Sequence, residues 1–98
     1  MASENAKRRA QAIVAVGRLP RFQRNNHRIT MLSAPTPRDG GCVRINVQVT
    51  DPDGDEVPVN NPIIICNPPI DVRQSDGTVV ENPAQALRDV LARILGVI

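Results

Sequence analysis

Between Gly41 and Pro69 the chain reads GCVRINVQVTDPDGDEVPVNNPIIICNPP, two apolar runs around an acidic turn. Val43, Ile45, Val47 and Val49 alternate with Arg44, Asn46 and Gln48, the period-two pattern of a half-buried strand. Thr50-Asp51-Pro52-Asp53-Gly54-Asp55 then supplies turn chemistry. Proline presets φ, glycine accepts positive φ, and aspartate bonds its own backbone. Beyond the turn, Val57, Val59, Ile63 and Ile65 share one parity, and Pro58, Pro62, Ile64 and Cys66 share the other. Proline cannot donate to a ladder, so the second run is an edge strand or is broken at Asn60-Asn61.

Register decides what the two cysteines do. A loop over 52–56 sets Asp51 opposite Val57 and Cys42 opposite Cys66. An alternative register sets Cys42 opposite Ile64 and leaves the cysteines diagonal. A disulfide depends on which register holds.

Ninety-eight residues make one domain with one modest core. Phe22 is the single aromatic, so the core is aliphatic. Small domains often complete their burial by association, and the apolar end Leu95-Gly96-Val97-Ile98 points to a homo-oligomer. Net charge is +2 but unevenly spread. Residues 1–40 carry eight cations and two acids, and residues 41–98 carry four cations and eight acids. Such asymmetry fits a basic arm that meets an acidic protein surface or nucleic acid, or that neutralises the acidic half of a neighbouring subunit. No segment has the apolar length of a membrane span or a convincing signal core. The chain is expected to be made in the cytosol, where thiols stay reduced.

Ser3-Glu4 starts a short helix, with Ala6, Ala10, Ile13 and Val14 on one face and Gly17 as its stop. Arg18 to Arg28 reads as an extended basic arm. Phe22 between Arg21 and Arg24 serves there as a packing anchor, or stacks on a base. Asp76-Gly77 between Ile70-Asp71-Val72 and Thr78-Val79-Val80 signals a hairpin. Asn82, Pro83 and Gln85 open the last helix as N-cap, first residue and capping-box partner. Its stripe of Leu87, Leu91, Ile94 and Ile98 faces the core or an oligomer partner, and Asp89 and Arg93 form an i,i+4 pair.

Chemistry is thin. Asp51, Asp53 and Asp55 suggest a loose calcium site, but Glu56 and Pro62 stand where an EF-hand loop needs glycine and a bidentate acid. One histidine, His27, and two cysteines give neither a zinc site nor a nucleophile–base–orienter set. No cofactor and no catalytic residue is expected.

The text from Asn67-Pro68-Pro69-Ile70 through Ser75-Asp76-Gly77 to Glu81-Asn82-Pro83-Ala84-Gln85-Ala86-Leu87 resembles short bacteriophage structural proteins. In these a strand after Asn-Pro-Pro and a glycine-centred turn precede an Asn/Asp-Pro-x-x-Ala-Leu helix. The resemblance covers residues 67–96, about a third of the chain. It implies a virion subunit, a head decoration or cement protein, made in the host cytoplasm.

The expected fold is α+β and mostly β. A small antiparallel sheet or sandwich is formed by residues 28–32, 42–50, 57–66, 70–73 and 78–81, with a C-terminal amphipathic helix over 83–96. Residues 1–27 form an extended basic arm with a short helix. The expected function is non-enzymatic: docking on capsid or sister subunits through Lys7, Arg8, Arg9, Arg18, Arg21, Phe22 and Arg24. Alternatives are a nucleic-acid-binding accessory protein using the same arm, and an Ig-like extracellular domain held by a Cys42–Cys66 disulfide.

Overall fold

The computed structural model describes residues 3–98. The fold is α+β with strands predominating. The elements run α1 (Glu4–Val16), β1 (Phe22–Arg24), β2 (His27–Met31), β3 (Thr36–Arg38), β4 (Cys42–Ile45), β5 (Val47–Thr50), β6 (Glu56–Val57), β7 (Ile63–Cys66), β8 (Asp71–Arg73), β9 (Val79–Glu81) and α2 (Pro83–Leu95). They form three antiparallel sheets, ordered β1-β2-β5-β6, β3-β4-β7 and β8-β9.

The expected single strand over 42–50 is two strands. Asn46 lies between β4 and β5, and each half joins a different sheet. The second run divides in the same way, into β6 and β7. Thr50 pairs with Glu56 and Val49 with Val57, so the acidic loop is 51–55. Continued unchanged, that register would set Cys42 against Ile64. Instead Ile45 pairs with Ile63 and Cys42 with Cys66. Two extra residues on the second run make up the difference, around a cis Asn61-Pro62 bond.

The Asn61 side chain fills the gap this leaves. Its Oδ1 accepts the Val47 N–H at 3.0 Å, and its Nδ2 donates to the Val47 carbonyl at 2.9 Å. In the β5–β6 register the Val59 backbone would stand opposite Val47. A primary amide offers the same donor and acceptor as a peptide group, so it can take that place. Each such bond contributes about 1 kcal/mol net, and leaving buried Val47 groups unpaired would cost more.

Cys42 and Cys66 form a disulfide with a Cα–Cα distance of 3.9 Å. The Asn67 N–H donates to the Gly41 carbonyl at 3.0 Å, which makes Cys42↔Cys66 a non-hydrogen-bonded pair, the closer kind of antiparallel pair. The sequence left open whether the two cysteines bond, and the shifted register brings them together. The disulfide named for the Ig-like alternative is present, but it joins neighbouring strands of one sheet, whereas an immunoglobulin disulfide joins two sheets.

The strand parity is as expected. Val43, Ile45, Val47, Val49, Ile63 and Ile65 are buried, and Arg44 and Gln48 are exposed. The main core joins all of these strand residues but Val49 to Ile13, Leu19, Met31, Ile70, Leu87 and Leu91. A smaller cluster holds Ile29, Val49, Ala92 and Val97.

Residues 3–27 are not an extended arm. Ser3 caps α1 by accepting the Ala6 N–H at 3.0 Å, and Ala6, Ala10 and Ile13 are buried. The helix lies against α2, β3 and β4, and β1 is the first strand of the four-stranded sheet. Small side chains permit this approach. A Cβ placed on Gly41 would come within 2.8 Å of the Ala6 Cβ.

The last helix begins as expected, with Asn82 Oδ1 accepting the Gln85 N–H at 3.1 Å. The capping box does not close, because the Gln85 amide turns forward and donates to Asp89 at 2.9 Å. Leu87 and Leu91 are fully buried, each contributing roughly 1.5–3 kcal/mol. The rest of the stripe stays out of the core. Ile94 is 50% exposed and Ile98 is 74% exposed. Gly96 takes a left-handed conformation at φ 72° and ends the helical phase, which turns Val97 into the core and Ile98 outward.

Gly41 has φ +72° besides its contact with Ala6, whereas Gly54 has φ +89° and open space around it. We predict that Gly41→Ala destabilises the protein by roughly 2–4 kcal/mol, backbone strain plus overpacking. Gly54→Ala should cost about 1–2 kcal/mol from strain alone. Denaturant midpoints of the two variants check the difference.

Candidate functional site

The proposed docking residues do not stay together. On α1, Lys7 pairs with Glu4 at 3.6 Å and Arg8 with Glu81 of β9 at 3.1 Å. Arg9 is half-buried, with a buried Nε that has no hydrogen-bond partner. Arg24 bonds Asp89 of α2 at 2.6 Å and lies 6.0 Å above the Phe22 ring. Asp89 therefore looks to β1 and not to Arg93 as expected. Phe22 is half-buried against both core clusters, so it is an anchor of its own fold. Arg18 and Arg21 are the members of the expected set that remain exposed and outside any ion pair among the described residues.

These two sit beside a face that the strand register defines. Phe22, Ile29, Val49 and Val57 lie in one row across the four strands and point inward. The next row, Gln23-Arg28-Thr50-Glu56, points outward, followed by Thr30-Gln48. Arg18, Arg21 and Thr30 line a shallow concavity of about 390 Å³. Arg28, Gln23, Thr50 and the acid Asp51 line a second, of about 210 Å³. The result is a flat polar surface with Arg18, Arg21 and Arg28 as exposed cations. Uncharged glutamine and threonine hydrogen-bonding groups lie between them. Sequence reasoning missed Arg28 as a partner of this pair, because only the β1–β2 pairing brings it to the face.

The acidic loop is built differently from a cation site. Asp51 Oδ1 accepts the backbone N–H groups of Asp53 and Asp55, both at 2.9 Å. The Asp51 carboxylate thus holds the turn together. Among the described residues no three His, Cys, Asp or Glu side chains gather at one point, so Asp51, Asp53 and Asp55 do not assemble the calcium site considered for them. His27 Nδ1 lies 2.9 Å from the Asn25 carbonyl at the β1–β2 turn, an exposed local contact. In the β8–β9 turn the Asp76 carboxyl is held below its ordinary pKa by the Thr78 hydroxyl and then by the Thr78 N–H. That is turn chemistry on a fully exposed group. No helix among the described residues is long and apolar enough to cross a membrane.

The Arg24–Asp89 pair ties β1 to α2, and both side chains are about one-third exposed. A double-mutant cycle with Arg24→Ala and Asp89→Ala should give a coupling of about 0.5–1 kcal/mol that shrinks as salt is raised. Equilibrium unfolding of the four proteins at two ionic strengths checks it.

No family model matches the chain, nor does any curated protein or solved structure.

Proposed function

We propose that the protein is a non-enzymatic structural subunit of a virion, of the head-decoration or cement type, which is made in the host cytoplasm and then docks on the particle. The observation that carries this reading is the outward sheet face bearing Arg18, Arg21 and Arg28 with no acid paired to them among the described residues. Such a face suits an acidic, hydrogen-bonding protein surface. Arginine forks bind carboxylates two bonds at a time, and glutamine and threonine add neutral contacts around them. The resemblance of residues 67–96 to short bacteriophage structural proteins supplies the kind of particle. A second reading, binding to nucleic acid, draws on the same arginines. It has less support, because the face presents no aromatic side chain for base stacking, Phe22 being turned into the core.

One experiment separates the two. Binding of the full chain and of the Arg18→Glu/Arg21→Glu/Arg28→Glu variant is measured against purified phage heads lacking the protein, and against plain duplex DNA over a salt series. The reading predicts head binding that weakens at least tenfold in the variant, about 1.4 kcal/mol. Head binding equal in both proteins would contradict it. Steeply salt-dependent DNA binding with no head binding would replace it with the nucleic-acid reading.

A further inference from the structure

The three sheets have six edge strands, and five of them are blunted. Within the strand, β1 carries Arg24, β3 carries Pro37 and Arg38, and β6 carries Glu56 and is followed by Pro58. Asp71 and Arg73 guard β8, and Glu81 guards β9. Charges and prolines at edges are what keep folded proteins from adding strands. The sixth edge, β7, reads Ile63-Ile64-Ile65-Cys66, with neither a charge nor a proline.

The register fixes which backbone groups that edge offers. Cys42↔Cys66 is a non-hydrogen-bonded pair, so Ile65 and Ile63 exchange bonds with β4 while Ile64 and Cys66 turn theirs away. No backbone or side-chain partner meets the N–H or C=O of either residue among the described residues. The free edge therefore presents two donors and two acceptors, on residues spaced two apart. Ile64 is half-buried and Cys66 is exposed. Pro62 before the strand and Pro68 after it limit any added strand to this short length.

We propose that this edge is an interface with a second copy of the same chain, in which two β7 strands pair antiparallel about a two-fold axis at Ile65. That placement sets Ile64 opposite Cys66 of the other copy, and Cys66 opposite its Ile64. All four outward groups of each strand are then satisfied, by four hydrogen bonds across the seam. The strand is self-complementary in this one respect that a two-fold contact requires. Nothing charged lies on either strand, so no like charges meet at the seam. The two three-stranded sheets become one six-stranded sheet. Apolar Ile64 of each copy lies beside the disulfide of the other. The arginine face belongs to the four-stranded sheet, so this pairing stands whether or not that face docks on a particle.

The test is the solution mass of the full chain over a concentration series, for the native sequence, for Ile64→Lys, and for Leu32→Lys. Ile64→Lys adds an edge charge while leaving the bonds to β4 in place. Leu32 is 52% exposed and lies off the edge, so its variant controls for the loss of an exposed apolar side chain. The expected result is a two-chain mass for the native protein and for Leu32→Lys, and a single-chain mass for Ile64→Lys. A native protein that stays single at every concentration overturns the proposal, and so does an Ile64→Lys protein that stays paired. Amide exchange covers the case in which Ile64→Lys fails to fold. In the native protein the Ile64 and Cys66 amides should exchange faster on dilution, in step with dissociation, and exchange independent of concentration contradicts the pairing.

Discussion

The amide of Asn61 against the backbone of Val47 is the contact on which the sheet arrangement depends. On one side of it β5 and β6 pair in the register set by a five-residue acidic turn. On the other side β4 and β7 pair two residues out of step with that register. A continuous ladder cannot hold both. Where the registers meet, one strand must leave backbone groups of its neighbour unmatched, and unmatched buried groups are costly. A side-chain amide bonded to both Val47 groups removes that penalty. The extra residues, among them Pro62, are carried outside the ladder. The ribbon can then bend into two sheets, and each sheet delivers its valines and isoleucines to the same core.

The disulfide and the first helix follow from that offset. The shifted register is what brings Cys42 opposite Cys66 and not Ile64. Closing a loop across a sequence separation of 24 contributes about 3 kcal/mol in the chain-entropy account, a substantial share of a small domain's stability. Immediately before Cys42, Gly41 brings its bare backbone against Ala6, and α1 settles on β3 and β4 beside α2. The aliphatic core thus closes within the described residues without a second aromatic. Phe22 seals the seam between its two clusters.

Local signals in the sequence located much of this. Asn82-Pro83 opens the last helix, Ser3 and Gly17 bound the first, and Asp76-Gly77 marks the hairpin, because each of those residues acts through its own neighbours. The valine parity told which faces are buried. Parity is blind to the partner strand, however. The alternation runs unbroken through Asn46, so nothing in it announces that β4 and β5 belong to different sheets. Asn60-Asn61-Pro62 was legible as a break, but not as the source of a side-chain mimic of a strand. The first helix was misjudged as part of an arm because alanine gives a faint apolar stripe. Its packing rests on closeness to Gly41, which is 35 residues away in sequence. The docking set fared similarly: the partner of Arg24 is 65 residues distant, and the face shared by Arg21 and Arg28 exists only through the β1–β2 pairing.

Two surfaces remain after internal pairing has taken its share of the side chains, a polar arginine-bearing face on the larger sheet and an uncharged edge on the smaller one. Both exist because the ribbon divides. The amide of Val47 reports on that division most directly. Its exchange, followed by NMR in the native protein and in Asn61→Ala, should be slow in the first. In the second it should be accelerated well beyond any change at Val49, whose partner Val57 is untouched. Val47 protection that persists undiminished in a folded Asn61→Ala protein would contradict the account.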